Sequence, residues 1–553
     1  MVWRRGASDH VVVDLGRLGD ADVDEPARGG PTTSQAHPAR DDDGSPERPS
    51  RRHRGRLAVA AGVVVLLAFS SWGMSADLRD RNRAERLASA PGGVLSLADA
   101  PRVAWSAGTQ SSATAFLPGL VVVQRDGALH ALDAGTGVER WQVPMAAGAQ
   151  CRVSSSARGG AAVVDPLVCW GGPDAPDQVT VVHADGTWAR RSLGEGVAWA
   201  AGTSDGGLAT ARLVGPAPPT SQVHVTALDG GYSIDGRITQ GQDAVVRLED
   251  ATTGALRWEH TLRFHPVTDV WSCVTVNQDR TGATPTLSAS IRPPEVLTVG
   301  SLVEVYGCGV QGVFTADGAA VGEAGTSSSS IVEPYVDGGV LELGGSGQDG
   351  ASALRGPHGT VTFGAQVLNP AATDGTPSDV VLAGVGPVSL RAYDAGGTQR
   401  WRSAQGYVDL LARAHGVAVM ALLDGGAAGV DLRTGKQLWL DGTLTPGAPG
   451  PAEVPREAFT DGRTAALLVA APLVRSEDGS TVSVDVSGGP TTLVGVDLAT
   501  GAIRWRTPLP GFVDEVDAVE GHLVVTTQSG IPSAATGLGD PAAPAAGTVL
   551  VLR

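Results

Sequence analysis

Apolar positions follow two patterns along this chain. From Leu57 to Ala76 they are nearly continuous, LAVAAGVVVLLAFSSWGMSA, with no charged residue. About 20 such residues at helical rise cross the hydrocarbon of a bilayer, so the run predicts one transmembrane helix. Beyond residue 100 the apolar runs shorten to Val-rich or alternating stretches such as Gly119-Leu120-Val121-Val122-Val123, Val417-Ala418-Val419-Met420 and Ala465–Ala470. Runs of this length bounded by Gly and Asp turns predict strands, and no long segment there shows helical periodicity.

The strands recur around one phrase: Asp, three residues, Gly, three residues, Trp. The copies are Asp133, Gly137, Trp141; Asp250, Gly254, Trp258; Asp431, Gly435, Trp439; and Asp497, Gly501, Trp505. A fifth, Asp394, Gly397, Trp401, is one residue shorter. An alternating strand such as Leu129-His130-Ala131-Leu132 or Leu493-Val494-Gly495-Val496 precedes the Asp. The Asp side chain bonds backbone two residues on, the Gly takes the positive φ of the turn, and a second strand holds the Trp. With the upstream Val-rich strand this makes a small repeated β unit, and stacked units of four strands make a β-propeller.

Fainter units occupy the gaps. Val181-Val182-His183-Ala184-Asp185-Gly186-Thr187-Trp188 keeps the hairpin and Trp with a tighter turn. Val313–Gly318 keeps the turn without Trp, and Ala353-Leu354-Arg355 to Gly359-Thr360-Val361 is fainter still. The last strand, Gly547–Arg553, lacks a Trp strand, whereas Pro101–Trp105 is a Trp strand without a hairpin. The N-terminal strand is expected to complete the C-terminal blade and close the ring. Up to nine units can be counted; the usual range of about four to eight blades assigns one faint unit to an insertion. The expectation is eight blades, with seven as the alternative.

Ala131-Leu132-Asp133 to Trp141 and Val496-Asp497 to Trp505 resemble the tryptophan-docking motif of quinoprotein-type, PQQ-like propellers, over residues 101–553. The resemblance implies that each Trp packs between neighbouring blades against the Gly and Asp of a turn. Enzymes of that family carry adjacent cysteines beside the quinone, acidic and amide calcium ligands and an Asp base. Here no two cysteines are adjacent, and the calcium ligands and base map to no position. The expectation is therefore no cofactor and no metal, with PQQ the alternative.

Composition refines this. The net charge of −17 opposes nucleic-acid binding, which needs a basic footprint. The even set Cys151, Cys169, Cys273 and Cys308 suggests two disulfides, and pairing by proximity gives Cys151–Cys169 and Cys273–Cys308 among three arrangements. Arg51, Arg52, Arg54 and Arg56 precede the apolar run, which places the N-terminus inside. A cleaved signal peptide is the rival, but 56 residues precede the run and no cleavage site follows closely. The expected domains are a disordered cytoplasmic tail at 1–56, the spanning helix at 57–76, a juxtamembrane helix and linker at 77–100, and the propeller at 101–553. Insertions at Ala217–Gln242, Arg280–Pro294 and Gly442–Val454 are expected to be disordered in their middles. Arg in place of Lys, with excess Ala and Gly, suggests a GC-rich bacterial genome such as an actinobacterium's.

Candidate chemistry is sparse. Gly202-Thr203-Ser204-Asp205-Gly206 matches a nucleophile elbow but precedes a strand rather than a helix. Gly307-Cys308-Gly309-Val310-Gln311-Gly312 matches a dinucleotide fingerprint outside any βαβ unit. His260 and His265 read as a surface pair, and Lys436 sits at a blade turn. The expectation is a non-catalytic, membrane-tethered extracytoplasmic propeller that binds an envelope protein or small ligand. A quinone-dependent oxidoreductase and an extracellular ligand sensor are the alternatives.

Overall fold

The computed structural model describes residues 78, 80–109, 115–146, 149–151, 163–171, 175, 177–217, 223–228, 231–268, 270–279, 286–321, 331–344, 351–356, 359–385, 389–422, 426–441, 455–470, 491–510, 512–528 and 547–553. The expected tail, spanning helix and Gly442–Val454 insertion lie outside these residues. Among the described residues no helix is long and apolar enough to cross a membrane.

The all-β expectation holds, but eight blades is corrected to nine. Nine sheets follow one another along the described chain, eight antiparallel sheets of four strands and one of five, whose extra strand Ala372–Thr373 pairs parallel with Asp409–Ala414. Blades 1 to 9 span 115–144, 150–192, 197–262, 295–321, 331–363, 366–403, 409–441, 455–508 and 512–552. The faintest unit is a full blade: Ser352–Gly356 and Gly359–Phe363 pair with each other and, through Val340–Leu343, with Ile331–Pro334. Its last turn lacks the motif Asp and its last strand the motif Trp, so the unit is marked in sequence by apolar pattern alone.

The core is divided among the blade boundaries. Each of nine buried apolar clusters joins one blade to the next around the ring. The strand Leu120–Arg125 shows why these strands read as continuous apolar runs: Val121 and Val123 pack toward blade 9, while Leu120 and Val122 pack toward blade 2. Sheets covered on both faces lose the hydrophobic–polar alternation of a half-exposed strand.

The ring closes in two ways. Val103–Thr109 pairs antiparallel with Gly547–Leu552 as the outer strand of blade 9. A strap from residues 80–97 then lies across blades 7, 8 and 9. Residues 80–89 are helical, with Leu87 buried and Arg83 donating to the Asp461 carbonyl at 2.6 Å. Gly92, at φ +62°, turns the chain so closely over Ala372 that a side chain would collide with it. Backbone bonds then fasten the strap, from Thr373 to Pro91, Thr460 to Gly92, Val94 to Thr460 and Leu95 to Gly521, at 2.8–3.0 Å. Leu97 ends it, fully buried, its amide held by Asp461 at 2.9 Å.

Strands occupy parts of two of the expected insertions, Ala217–Gln242 and Arg280–Pro294. Val223–Leu228 pairs with Gly231–Gly236, and Val274–Asp279 pairs with Thr286–Ile291. They share a separate apolar cluster around Ile234, Ile238, Val270 and Val274. The Cys273–Cys308 disulfide ties this module to the turn between the second and third strands of blade 4. Cys151–Cys169 joins the first two strands of blade 2 at opposed positions.

Candidate binding crevice at blades 6 and 7

The motif turns share one geometry. Asp133 Oδ1 accepts from the Thr136 amide and hydroxyl at 2.9 and 2.8 Å. Asp250, Asp431 and Asp497 do the same with Thr253, Thr434 and Thr500, at 2.8–2.9 Å. The shorter Asp394 turn bonds the Gly396 and Thr398 amides at 3.0 and 2.9 Å. Gly137, Gly254, Gly397, Gly435 and Gly501 all have φ between +71° and +83°. After each turn a register shift sets the Trp opposite the preceding strand, pairing Ala131 with Trp141, Leu248 with Trp258, Ala392 with Trp401, Gly429 with Trp439 and Gly495 with Trp505. Such a bulge re-aims a side chain.

Here the ring is toward the neighbouring blade. The indole N–H groups of Trp105, Trp141, Trp258, Trp401 and Trp439 donate to the carbonyls of Ala134, Ala184, Ala316, Leu432 and Leu498 in the next blade's turn, at 2.8–3.1 Å. Each ring also lies on that turn's glycine, Gly137, Gly186, Gly318, Gly435 or Gly501. Trp505 donates instead to Leu97 of the strap at 2.8 Å, because blade 9 is split at that turn by the chain termini. Trp188, in the unit with the tighter turn, behaves differently. Its hairpin has no bulge, so it pairs with Val182, stays 42% exposed and carries Arg190 over its ring. At that boundary Arg191 lies on Gly254 and pairs with Glu249 at 2.6 Å.

One feature escaped the sequence reading although its signal was present: the residue before each motif Trp. In three full-length motifs it is Arg140, Arg257 or Arg504, which pairs with its own turn's Asp133, Asp250 or Asp497. The Arg140 pair, at 2.6 Å, holds Asp133 down to about 2. In the shorter motif Arg400 crosses instead to Asp379 at 2.7 Å. In blade 7 the position is Leu438, 43% exposed. Asp431 bonds its turn through Oδ1, and among the described residues no side chain forms an ion pair with it. Its pKa is lowered chiefly by the Thr434 hydroxyl.

Asp431 lines a crevice of about 590 Å³, within the size range of ligand sites. Four pieces of chain build it: the loop from Asp374 to Val380, Arg400, the turn from Arg413 to Val417, and Asp431-Leu432-Arg433. Behind it Arg413 is held by Asp337 through two bonds of 2.6 and 2.5 Å. Burial works against the Arg413 charge, but Asp337 outweighs it and raises the pKa. Burial pushes nearby Tyr335 up to about 12. Asp374 accepts from the His415 amide at 3.1 Å, and His415 has φ +52°, uncommon outside glycine. The Arg400 bond holds Asp379 below the usual carboxylate range.

The other candidates lie elsewhere. Ser204 sits in the turn between Val197–Gly202 and Gly207–Val214, where Thr203 bonds Asp205. Gly307 and Val310 close the turn carrying the Cys308 disulfide. His260 stacks on Phe314 at 4.7 Å and bonds the Gly318 carbonyl, whereas the His265 amide donates to Gly309. Lys436 is exposed in the blade 7 turn.

Residues 309–537 match the family described as outer membrane protein assembly factor BamB. BamB from Moraxella catarrhalis is 13% identical, over 82% of this chain and 100% of that one, with a TM-score of 0.36. Quinohemoprotein alcohol dehydrogenase from Comamonas testosteroni is 11% identical, over 82% and 76% of the two chains, at 0.33. The quinohemoprotein alcohol dehydrogenase ADHIIG from Pseudomonas putida HK5 is 10% identical, over 82% and 76%, at 0.36. No curated protein matches significantly. Identities and TM-scores this low transfer no activity.

Proposed function

We propose that this chain, whose residues 309–537 match the BamB-type PQQ-like repeat family, is a membrane-tethered, extracytoplasmic binding scaffold of the cell envelope, without catalysis. The observation that carries this reading is the crevice at blades 6 and 7. It is a concave, charged site built largely from loops and turns, where a rigid scaffold displays its binding residues. The repeated Asp, Gly and Trp residues hold blades together and leave the chemistry to such turns. Two disulfides fit an oxidising compartment. The apolar run at Leu57–Ala76 would supply the tether, and the family description supports an envelope protein as partner.

Two features argue against a quinone and its calcium. All four cysteines are joined between strands or to a turn, and none forms an adjacent pair. Among the described residues no three His, Cys, Asp or Glu side chains converge to hold a metal. Proximity labelling from the propeller in intact cells tests the scaffold reading. Recurrent envelope proteins are expected. Their absence, or dye reduction by the purified chain with added quinone and calcium, would reject it.

A further inference from the structure

The blade 7 turn names what the scaffold receives, and this inference rests on the scaffold reading. In the repeats containing Asp133, Asp250 and Asp497, the turn's carboxylate faces an arginine from the position before the Trp. The repeat containing Asp431 keeps the acid, the threonine and the Trp but has Leu438 in the arginine's place. This is also the repeat whose turn opens onto the crevice.

We propose that the crevice takes an arginine side chain of a polypeptide partner, whose guanidinium occupies beside Asp431 the place that Arg140 and Arg504 fill in their own repeats. The crevice's own cations leave that place open. Arg413 is held by Asp337, and Arg400 by Asp379. Arg433 neighbours Asp431 and favours its charged form, but makes no ion pair with it among the described residues. Asp374 adds a further carboxylate to the wall, and His415 lies at the turn beside it. A planar guanidinium pairs with a carboxylate through two parallel bonds, which an ammonium cannot reproduce. The chain's net charge of −17 also draws cationic partners.

The test is calorimetric titration of the full-length chain with the pentapeptide Gly-Gly-Arg-Gly-Gly, acetylated and amidated, and with its citrulline counterpart, the neutral isostere. The arginine peptide is expected to bind at least about tenfold more tightly, in a salt-dependent way. Leu438→Arg, which restores the arrangement of the other repeats, is expected to remove that preference without lowering the thermal midpoint. Equal binding of the two peptides, unchanged binding by Leu438→Arg, or no binding at millimolar peptide overturns the proposal. Free arginine binding as tightly as the peptide overturns the polypeptide partner in favour of a small ligand. The two readings fail separately. Envelope cross-links that survive Leu438→Arg leave the scaffold standing on another surface, and peptide binding without any cross-link removes the scaffold alone.

Discussion

The indole nitrogen of Trp505 donates at 2.8 Å to the carbonyl of Leu97, 408 residues earlier in the chain. Elsewhere the acceptor is a turn of the following blade. Blade 9 has no such turn, because its third strand ends at Leu552 and its fourth begins at Val103. The strap supplies the missing acceptor and buries Leu97 in the cluster that joins blades 8 and 9. A chain lacking residues 1–79 should therefore keep its propeller stability. Removal through residue 98 should cost several kcal/mol, from lost burial of Leu87, Val94 and Leu97 and an unpaired Trp505 N–H. Chemical denaturation of the two truncations checks this.

Gly501 combines φ +74° with the ring of Trp439 against its α-carbon. Gly501→Ala must meet both backbone strain and the indole, for a loss of roughly 2–4 kcal/mol. Gly127, at φ +72° with no neighbour within 4 Å, carries strain alone, and Gly127→Ala should cost about 1 kcal/mol. Equal losses in urea melts would remove the packing role assigned to the indole.

Burial, together with the charge of Glu515, pushes Glu457 up to about 7 from an unfolded value of 4.5. The folded chain then holds a proton that the unfolded chain releases. This contribution is fully present below pH 4.5 and is lost as pH rises through 7. Glu457→Gln should flatten the fall and stabilise the chain at pH 8 by about 2 kcal/mol. Melting curves across this range decide it, and a variant that tracks the parent at every pH would contradict the assignment.

The Cys273–Cys308 link closes a loop with a sequence separation of 35. Loop-closure entropy assigns it about 3–4 kcal/mol, and its loss should release the hairpin module before the blades. Hydrogen exchange of Cys273→Ser with Cys308→Ser should show faster exchange in Val223–Gly236 and Val274–Ile291.

Asp337→Asn should cost roughly 3 kcal/mol, because it leaves the buried Arg413 charge without its partner. Asp379→Asn, facing solvent opposite Arg400, should cost less than about 1 kcal/mol. Paired denaturation curves of the two variants provide the comparison.

The parts of this fold that were legible in the chain are those in which side chain and backbone conformation are coupled locally. An Asp that bonds a Thr three residues on, and a Gly with positive φ, leave a signature in adjacent letters. The blade around Ser352–Phe363 has neither, and its pairing depends on neighbours distant in sequence, so the blade count fell short. Trp188 looked like a motif Trp because its letter was right. One missing bulge residue turned it outward, a matter of register rather than composition. The crevice was illegible because its walls come from four pieces of chain between Asp374 and Arg433 that only the fold brings together. The Leu438 substitution was visible all along, but it gains meaning only when the arginines of other repeats are seen to reach their acids.

Because Gly547–Leu552 is the strand against which Val103–Thr109 pairs, the first blade strand to leave the ribosome must wait for the last. Eight sheets can form in order during synthesis while the seam stays open at both lips. A chain that stops short of Gly547 therefore leaves Val103–Thr109 and His522–Gln528 without the strand they share, two edges open to wrong partners that the closed ring covers.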